Sequence, residues 1–196
     1  TLPNIEGRIA QMSQMSKSVH KRPDRYGLVA SINSCVNFTK YCAENMTMGE
    51  LHDKLSEMGA ETLRKTLEQL EAGTLTRTPQ NHNEATYSPM VSRETGKIDW
   101  TRSSLEIHNL VRGTNPFPVS YSFDEEGERI KIWSTLLTNI KKPSSKEAGD
   151  VIEASADGIY VATGDGVIKI TELQGPSGKR MKAGDYVNGH KITKLT

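Results

Sequence analysis

The 196-residue sequence predicts an α+β fold: a long amphipathic helix, an extended connector, a short helix, and a small barrel or sandwich of antiparallel strands. Three observations carry this prediction. Apolar residues recur at near-helical spacing from Leu51 to Leu70. The stretch that follows is rich in Pro, Asn and Gln and poor in apolar residues. The last third is a succession of short apolar runs separated by Asp-Gly turns.

The elements follow in chain order. Residues 1–43 show no clean period of 3.6 or 2; "YGLVASI" fits a short buried strand, and the basic stretch Lys17–Arg25 fits either a solvated loop or a nucleic-acid patch. At Thr47 the pattern sharpens. "TMGE" is a capping box in which Thr47 caps a helix and Glu50 reaches back to it. Leu51, Leu55, Met58, Leu63, Leu67 and Leu70 then form one apolar stripe, and Gly73 supplies the stop. His52 and Asp53, at the start of this helix, fit a surface pair. Residues 74–99 fit an extended connector, with Trp100 anchoring it onto the next domain. Thr101 then caps a short helix carrying Leu105, Ile107, Leu110 and Val111, and Gly113 ends it. "TNPFPVSYSF" must leave helix, because each proline disfavours helix in the residue before it. In "ERIKIWSTLL", Ile130, Ile132 and Ser134 face one way and Lys131 and Trp133 the other. "VIEA", "IYVAT", "VIKITEL" and "HKITKL" complete the strands, with "ADG" and "GDG" supplying positive-φ turns.

Composition narrows the class. The chain is 35% hydrophobic and 25% charged, as in ordinary globular proteins. It holds no apolar run long enough to span a bilayer, and Thr1–Ala10 does not read as a secretory signal. Cys35 and Cys42 match neither a disulfide framework nor a zinc spacing, so the expectation is two reduced thiols and a cytoplasmic location. The net charge of +1 conceals segments of +4 (1–43), −5 (44–139) and +2 (140–196).

No catalytic cluster emerges. Asp124, Glu125 and Glu126 precede Gly127 as a solvated hairpin tip, and turn chemistry accounts for Asp165 between two glycines. The histidines His20, His52, His82, His108 and His190 stand in no metal spacing, and no metal is expected. There is no phosphate-binding glycine motif. What remains is basic: "GPSGKRMKAGD" puts Lys179, Arg180 and Lys182 on a glycine-bounded loop, which is either a solubilising surface or an approach to a phosphate backbone.

The order of the pieces adds a resemblance. "GELHDKLSEMGAETLRKTLEQLEAGTLTRTPQ", "ATYSP", "GKIDWTRSSLEIHNLVRGTNPFPVSY", "IKIW" and "GDGVIKITELQGPSGKRM" together resemble the methionyl-tRNA formyltransferase family, from about Glu44 to the C-terminus. The resemblance implies a Rossmann-like domain that binds 10-formyltetrahydrofolate, a connector, and a C-terminal barrel resembling an OB fold. It implies formyl transfer to the methionyl group of initiator tRNA. On that reading residues 44–73 are the last helix of a truncated catalytic domain, 74–100 the connector and 101–196 the OB-like barrel domain. Residues 1–43 do not resemble the family. A polyanionic tRNA gives the basic loop a purpose, and the resemblance implies tRNA-binding candidates Arg93, Lys97, Arg112, Lys179, Arg180 and Lys182.

The family's formyl-transfer motifs are not in this sequence. Its His-x-Ser-Leu-Leu-Pro segment is absent, and "NHN" at Asn81–Asn83 falls in the connector. Where the family carries a Gly-Leu-Asp-Thr-Gly-Asp stretch, this sequence has "GLVASI", with Val29 in the place of the aspartate; valine moves no proton. The expectation is a chain that keeps only the tRNA-binding C-terminal part, binds initiator tRNA and holds no folate. An uncovered leucine stripe on Thr47–Gly73 would favour self-association. Two other readings remain open: a stand-alone RNA-binding module or structural remnant, and a relative of the sugar-nucleotide formyltransferases.

Overall fold

The computed structural model describes residues 45–76, 90–176 and 178–196. The expectations for residues 1–43 (the strand in "YGLVASI", the basic stretch Lys17–Arg25 and the two cysteines) lie outside the described residues, as does the connector from 77 to 89 with its "NHN". The chain divides into two compact units, Thr1–Met90 and Val91–Thr196.

In the first unit, helix α1 spans Met48–Glu71. Its capping box is formed as the sequence predicts. The Glu50 amide donates to Thr47 Oγ1 at 3.3 Å, and the Thr47 amide donates to Glu50 Oε2 at 2.8 Å. Two orphan donors are thereby satisfied, and the Thr47 hydrogen bonds hold the Glu50 carboxyl below its ordinary range. After Ala72, Gly73 turns to φ 67°, and its amide returns to the Leu70 carbonyl. The apolar stripe divides into halves. Leu51 is buried beside Met46, with Leu55 and Met58 packed against them, whereas Leu63, Leu67 and Leu70 are exposed. On the polar side Arg64 bridges Glu61 and Glu68, and Lys65 reaches Glu61 at 3.2 Å. The Arg64 and Lys65 hydrogen bonds lower the Glu61 carboxyl to about 2. His52 and Asp53 form the exposed surface pair the sequence suggests, at 3.3 Å.

The second unit begins with an extended segment interrupted by a 3-10 turn, Glu94–Gly96. Helix α2, Ser104–Thr114, follows. Its N-cap is Ser103 and not Thr101, since Ser103 and Glu106 form the capping box; Thr101 instead closes a turn by donating to Asp99 Oδ1. Gly113 does not end the helix. It lies buried inside it, and the helix stops one residue later, where Asn115 precedes Pro116 and takes extended backbone. α2 buries Ile107 and Val111 against the sheet, chiefly at β2.

Six strands make one antiparallel sheet: β1 Ser120–Phe123, β2 Arg129–Leu137, β3 Val151–Ser155, β4 Gly158–Ala162, β5 Val167–Gln174 and β6 Met181–Lys182. The order is β1-β2-β5-β4-β3, with β6 pairing β5 beyond β4. A five-residue helix, α3 (Ala183–Val187), leads to the tail. β-branched residues dominate the core: Ile130 and Ile132 from β2, Ile159 and Val161 from β4, Ile168 and Ile170 from β5, joined by Ile107, Trp100 and Leu195. Each such side chain contributes about 1.5–3 kcal/mol on burial. Trp100, read from sequence as the connector's anchor, sits in this core and donates from Nε1 to Ser122 Oγ at 2.9 Å.

Three expectations need correction. A closed barrel is not formed by strand ladders, because among the described residues β1 and β3 are outer strands of an open sheet. The C-terminal tail runs along both. Thr196 exchanges two backbone hydrogen bonds with Phe123, the Val151 amide donates to Thr193, and the Leu195 amide donates to Gly149. "HKITKL" is accordingly no strand; Lys194 makes only an isolated bridge to Asp150. The "GDG" glycines are not the positive-φ residues of their turn, although Gly158 of "ADG" is, at φ 148°. Gly164 is required for space, since a Cβ there would strike the carbonyl oxygen of Thr101. Asp165 between them accepts from the Ser104 amide at 2.7 Å and from Thr163 Oγ1 at 3.1 Å, tying the β4–β5 turn to the start of α2.

Among the described residues no helix is long and apolar enough to cross a membrane, and no group of three or more His, Cys, Asp and Glu could hold a metal ion.

Candidate nucleic-acid interface

The outer face of β1 and β2 follows from strand alternation. Ser120, Ser122, Ile130 and Ile132 point inward and are buried. Tyr121, Phe123, Arg129 and Lys131 therefore point outward together, and all four are half-buried. Their pairing is direct, with Tyr121 opposite Lys131 and Phe123 opposite Arg129. The Arg129 guanidinium lies 3.7 Å from the centroid of the Tyr121 ring, Tyr121 meets Phe123 edge-on at 5.7 Å, and Lys97 Nζ stands 5.7 Å from the Phe123 centroid. A ring quadrupole attracts a cation over its face, so each aromatic side chain positions a positive charge.

A register shift extends this strip toward β5. Ile132 faces Leu173 and Ser134 faces Glu172, which leaves Trp133 as the extra residue of a bulge. Past the bulge the inward residue is Thr135, which is buried, and not the Ser134 that simple alternation suggests. Trp133 is held at both ends: its Nε1 donates to Gln174 Oε1 at 3.3 Å, and its carbonyl accepts from Asn115 Nδ2 at 3.0 Å. The Arg180 guanidinium lies 4.8 Å from the Trp133 ring centroid. Arg180 Nε donates to Glu172 Oε2 at 2.7 Å, and the same carboxylate oxygen takes a second bond from Nη2. Gln174 Nε2 donates to the Gly178 carbonyl at 3.0 Å, which fixes the loop over the end of β5.

The six basic candidates from sequence are placed as follows. Lys179, Arg180 and Lys182 are exposed on the loop and β6, with Lys182 paired in register to Glu172. Lys97 is exposed at the other end of the strip, bridged to Tyr121, and Arg93 is exposed on the same segment at the cap of the 3-10 turn. Arg112 is not with them. It is 4% exposed, and its Nε donates to Asn109 Oδ1 at 2.8 Å inside the unit. Sequence reading did not select Tyr121, Arg129, Lys131 or Trp133. The signal was present in "ERIKIW", whose outward positions are Arg, Lys and Trp.

His108 and Asn109 stand together on α2, but both are 3% exposed, with His108 Nδ1 against Thr135 Oγ1 at 3.0 Å, out of reach of a substrate amine.

Comparison with known proteins identifies the family. The family described as "Formyl transferase, C-terminal domain" matches residues 90–191. A methionyl-tRNA formyltransferase from Acetivibrio thermocellus is 43% identical over 76% of this chain and 48% of its own length. One from Clostridioides difficile is 46% identical over 76% of this chain and 47% of its own. The chain thus spans about half the length of the curated relatives it matches. In fold, a crystal structure of a HypX variant from Aquifex aeolicus matches with a TM-score of 0.52 at 18% identity, covering 77% of this chain and 30% of that one.

Proposed function

Since the chain belongs to the formyl transferase C-terminal domain family, we propose that Val91–Thr196 is the RNA-facing part of a methionyl-tRNA formyltransferase and holds initiator tRNA in the cytoplasm. The observation that carries this reading is the run of cations set beside aromatic rings along the outer sheet face and onto the loop after β5. Arg93, Lys97, Lys179, Arg180 and Lys182 are the residues we assign to tRNA contact, the four others at its backbone and Arg180, whose guanidinium is already engaged by Glu172, beside it; Arg112 is excluded by its burial. The open sheet together with the C-terminal tail that runs along both its outer strands is read as an OB-like barrel, a fold whose sheet face and loops bind oligonucleotides. α1 is read as the last helix of the catalytic domain, residues 74–100 as the connector and residues 101–196 as the barrel domain. 10-Formyltetrahydrofolate and formyl transfer are assigned to the rest of the parent enzyme, in keeping with the sequence of this chain, which lacks the family's formyl-site motifs.

Binding of tRNA across a salt series tests the reading. Each phosphate neutralised by a Lys or Arg releases counterions and steepens the fall of affinity with salt. The wild-type chain is expected to bind with a steep slope, and K179A/K182A to lower that slope by roughly 1–2 units. Salt-independent binding, or a double variant indistinguishable from wild type, would contradict it.

A further inference from the structure

Resting on the RNA-facing reading above, we propose that Arg180, lying on Trp133, forms a seat for one unpaired RNA base. The pairing of the guanidinium decides what it offers. Both its Nε and its Nη2 are engaged by Glu172, so a phosphate would have to displace a carboxylate already in place. The guanidinium carbon lies over the indole, 4.8 Å from its centroid. The side chain is still 48% exposed, which leaves the other side open to solvent. A guanidinium with its Nε and Nη2 engaged and half its surface open is a stacking surface, and nucleobases stack on arginine planes as they do on aromatic rings.

The seat is rigid before any ligand arrives. Trp133, the extra residue of the bulge, is pinned through its indole N–H and its backbone carbonyl. Little side-chain entropy is left to lose on binding. Arg129 over Tyr121 repeats the arrangement one register step away on the same face, with Lys131 between the two pairs. Around them Lys97, Lys131, Lys179 and Lys182 have no carboxylate partner among the described residues and can meet the phosphates that flank a stacked base. A duplex hides its base faces in its own stack, so the occupant must be unpaired: a loop, an end or a single strand.

Three probes on the full chain test the seat: a short oligoadenylate strand, the same strand annealed to its complement, and linear polyphosphate. The chain has two tryptophans, and Trp100 is 4% exposed in the core, so fluorescence quenching by ligand reports on Trp133. The single strand is expected to quench and to bind more tightly than the duplex, and polyphosphate to compete without quenching. W133L should weaken single-strand binding about five- to hundredfold and duplex binding far less, while W133F retains most of the single-strand affinity. R180K keeps the charge and removes the plane, so it should lose as much as W133L. Because Arg180 is exposed, that variant tests the seat even if W133L fails to fold. Single-strand binding without quenching, full affinity in R180K, or duplex bound as tightly as single strand would each overturn the seat and leave the RNA-facing reading standing. Failure of all three probes to bind even at low salt would remove the RNA-facing reading and the seat with it.

Discussion

A Cβ at Gly164 would overlap the Thr101 carbonyl oxygen and stand 2.9 Å from that of Arg102, where the two segments are already joined by a 2.8 Å hydrogen bond from the Gly164 amide to Arg102. Backbone packed that closely cannot yield as a flexible side chain would. G164A is therefore expected to lose about 1–3 kcal/mol of stability, read by denaturant unfolding monitored through the two tryptophans, both in this unit. A wild-type midpoint would show that the Thr101 segment yields. The same residue shows the limit of sequence reading. "GDG" signals a turn correctly, but the reason for the glycine lies 63 positions away in the Thr101 segment, and no local pattern carries it. Arg112 teaches the converse. An arginine near a helix end reads as a surface cation, and only its bond to Asn109 and its burial by the sheet show otherwise.

The helices divide according to whether their signals are local. α1 was legible at both ends because Thr47, Glu50 and Gly73 act within one turn of the boundaries they set. α2 was misread at both ends. Its own capping box, Ser103 with Glu106, is as plain in sequence as that of α1 but lies two residues past Thr101, and Gly113 imitates a stop that Pro116 in fact imposes. What completes its N-terminus is Asp165, which accepts from the Ser104 amide across 61 residues of sequence. That backbone bond holds the Asp165 carboxyl below its ordinary range, even though partial burial acts the other way. A carboxylate lowered in the folded state contributes stability that is fully present above its unfolded value near 4 and is lost as pH falls through the lowered value. D165A is expected to cost about 1 kcal/mol at neutral pH, as capping side chains do. That corresponds to a melting shift of about 4 °C. The gap between variant and wild type should narrow at pH 3. A gap equally wide at both pH values would show that the charge contributes nothing.

In the second unit as a whole, β2 to β5 are readable from alternation and turns, but β1, β6 and the way the sheet's margins are finished are not. The tail reaches Phe123 across 73 residues and lies along β1 and β3 through a few backbone hydrogen bonds, with no ladder that periodicity would betray. The outer face was half legible in the same way: Lys131 and Trp133 were seen to point away from the core, but their meeting with Tyr121, Arg129 and Arg180 depends on pairing across strands. That face is what links fold to proposed function, because it gathers cations from the segment before α2, from β2 and from the loop after β5 onto one surface. The most direct test of the account is competition between initiator and elongator tRNA for the purified chain across a salt series. Salt-sensitive binding that favours the initiator is the predicted result. No binding at low salt, or binding that ignores both salt and tRNA identity, would contradict it.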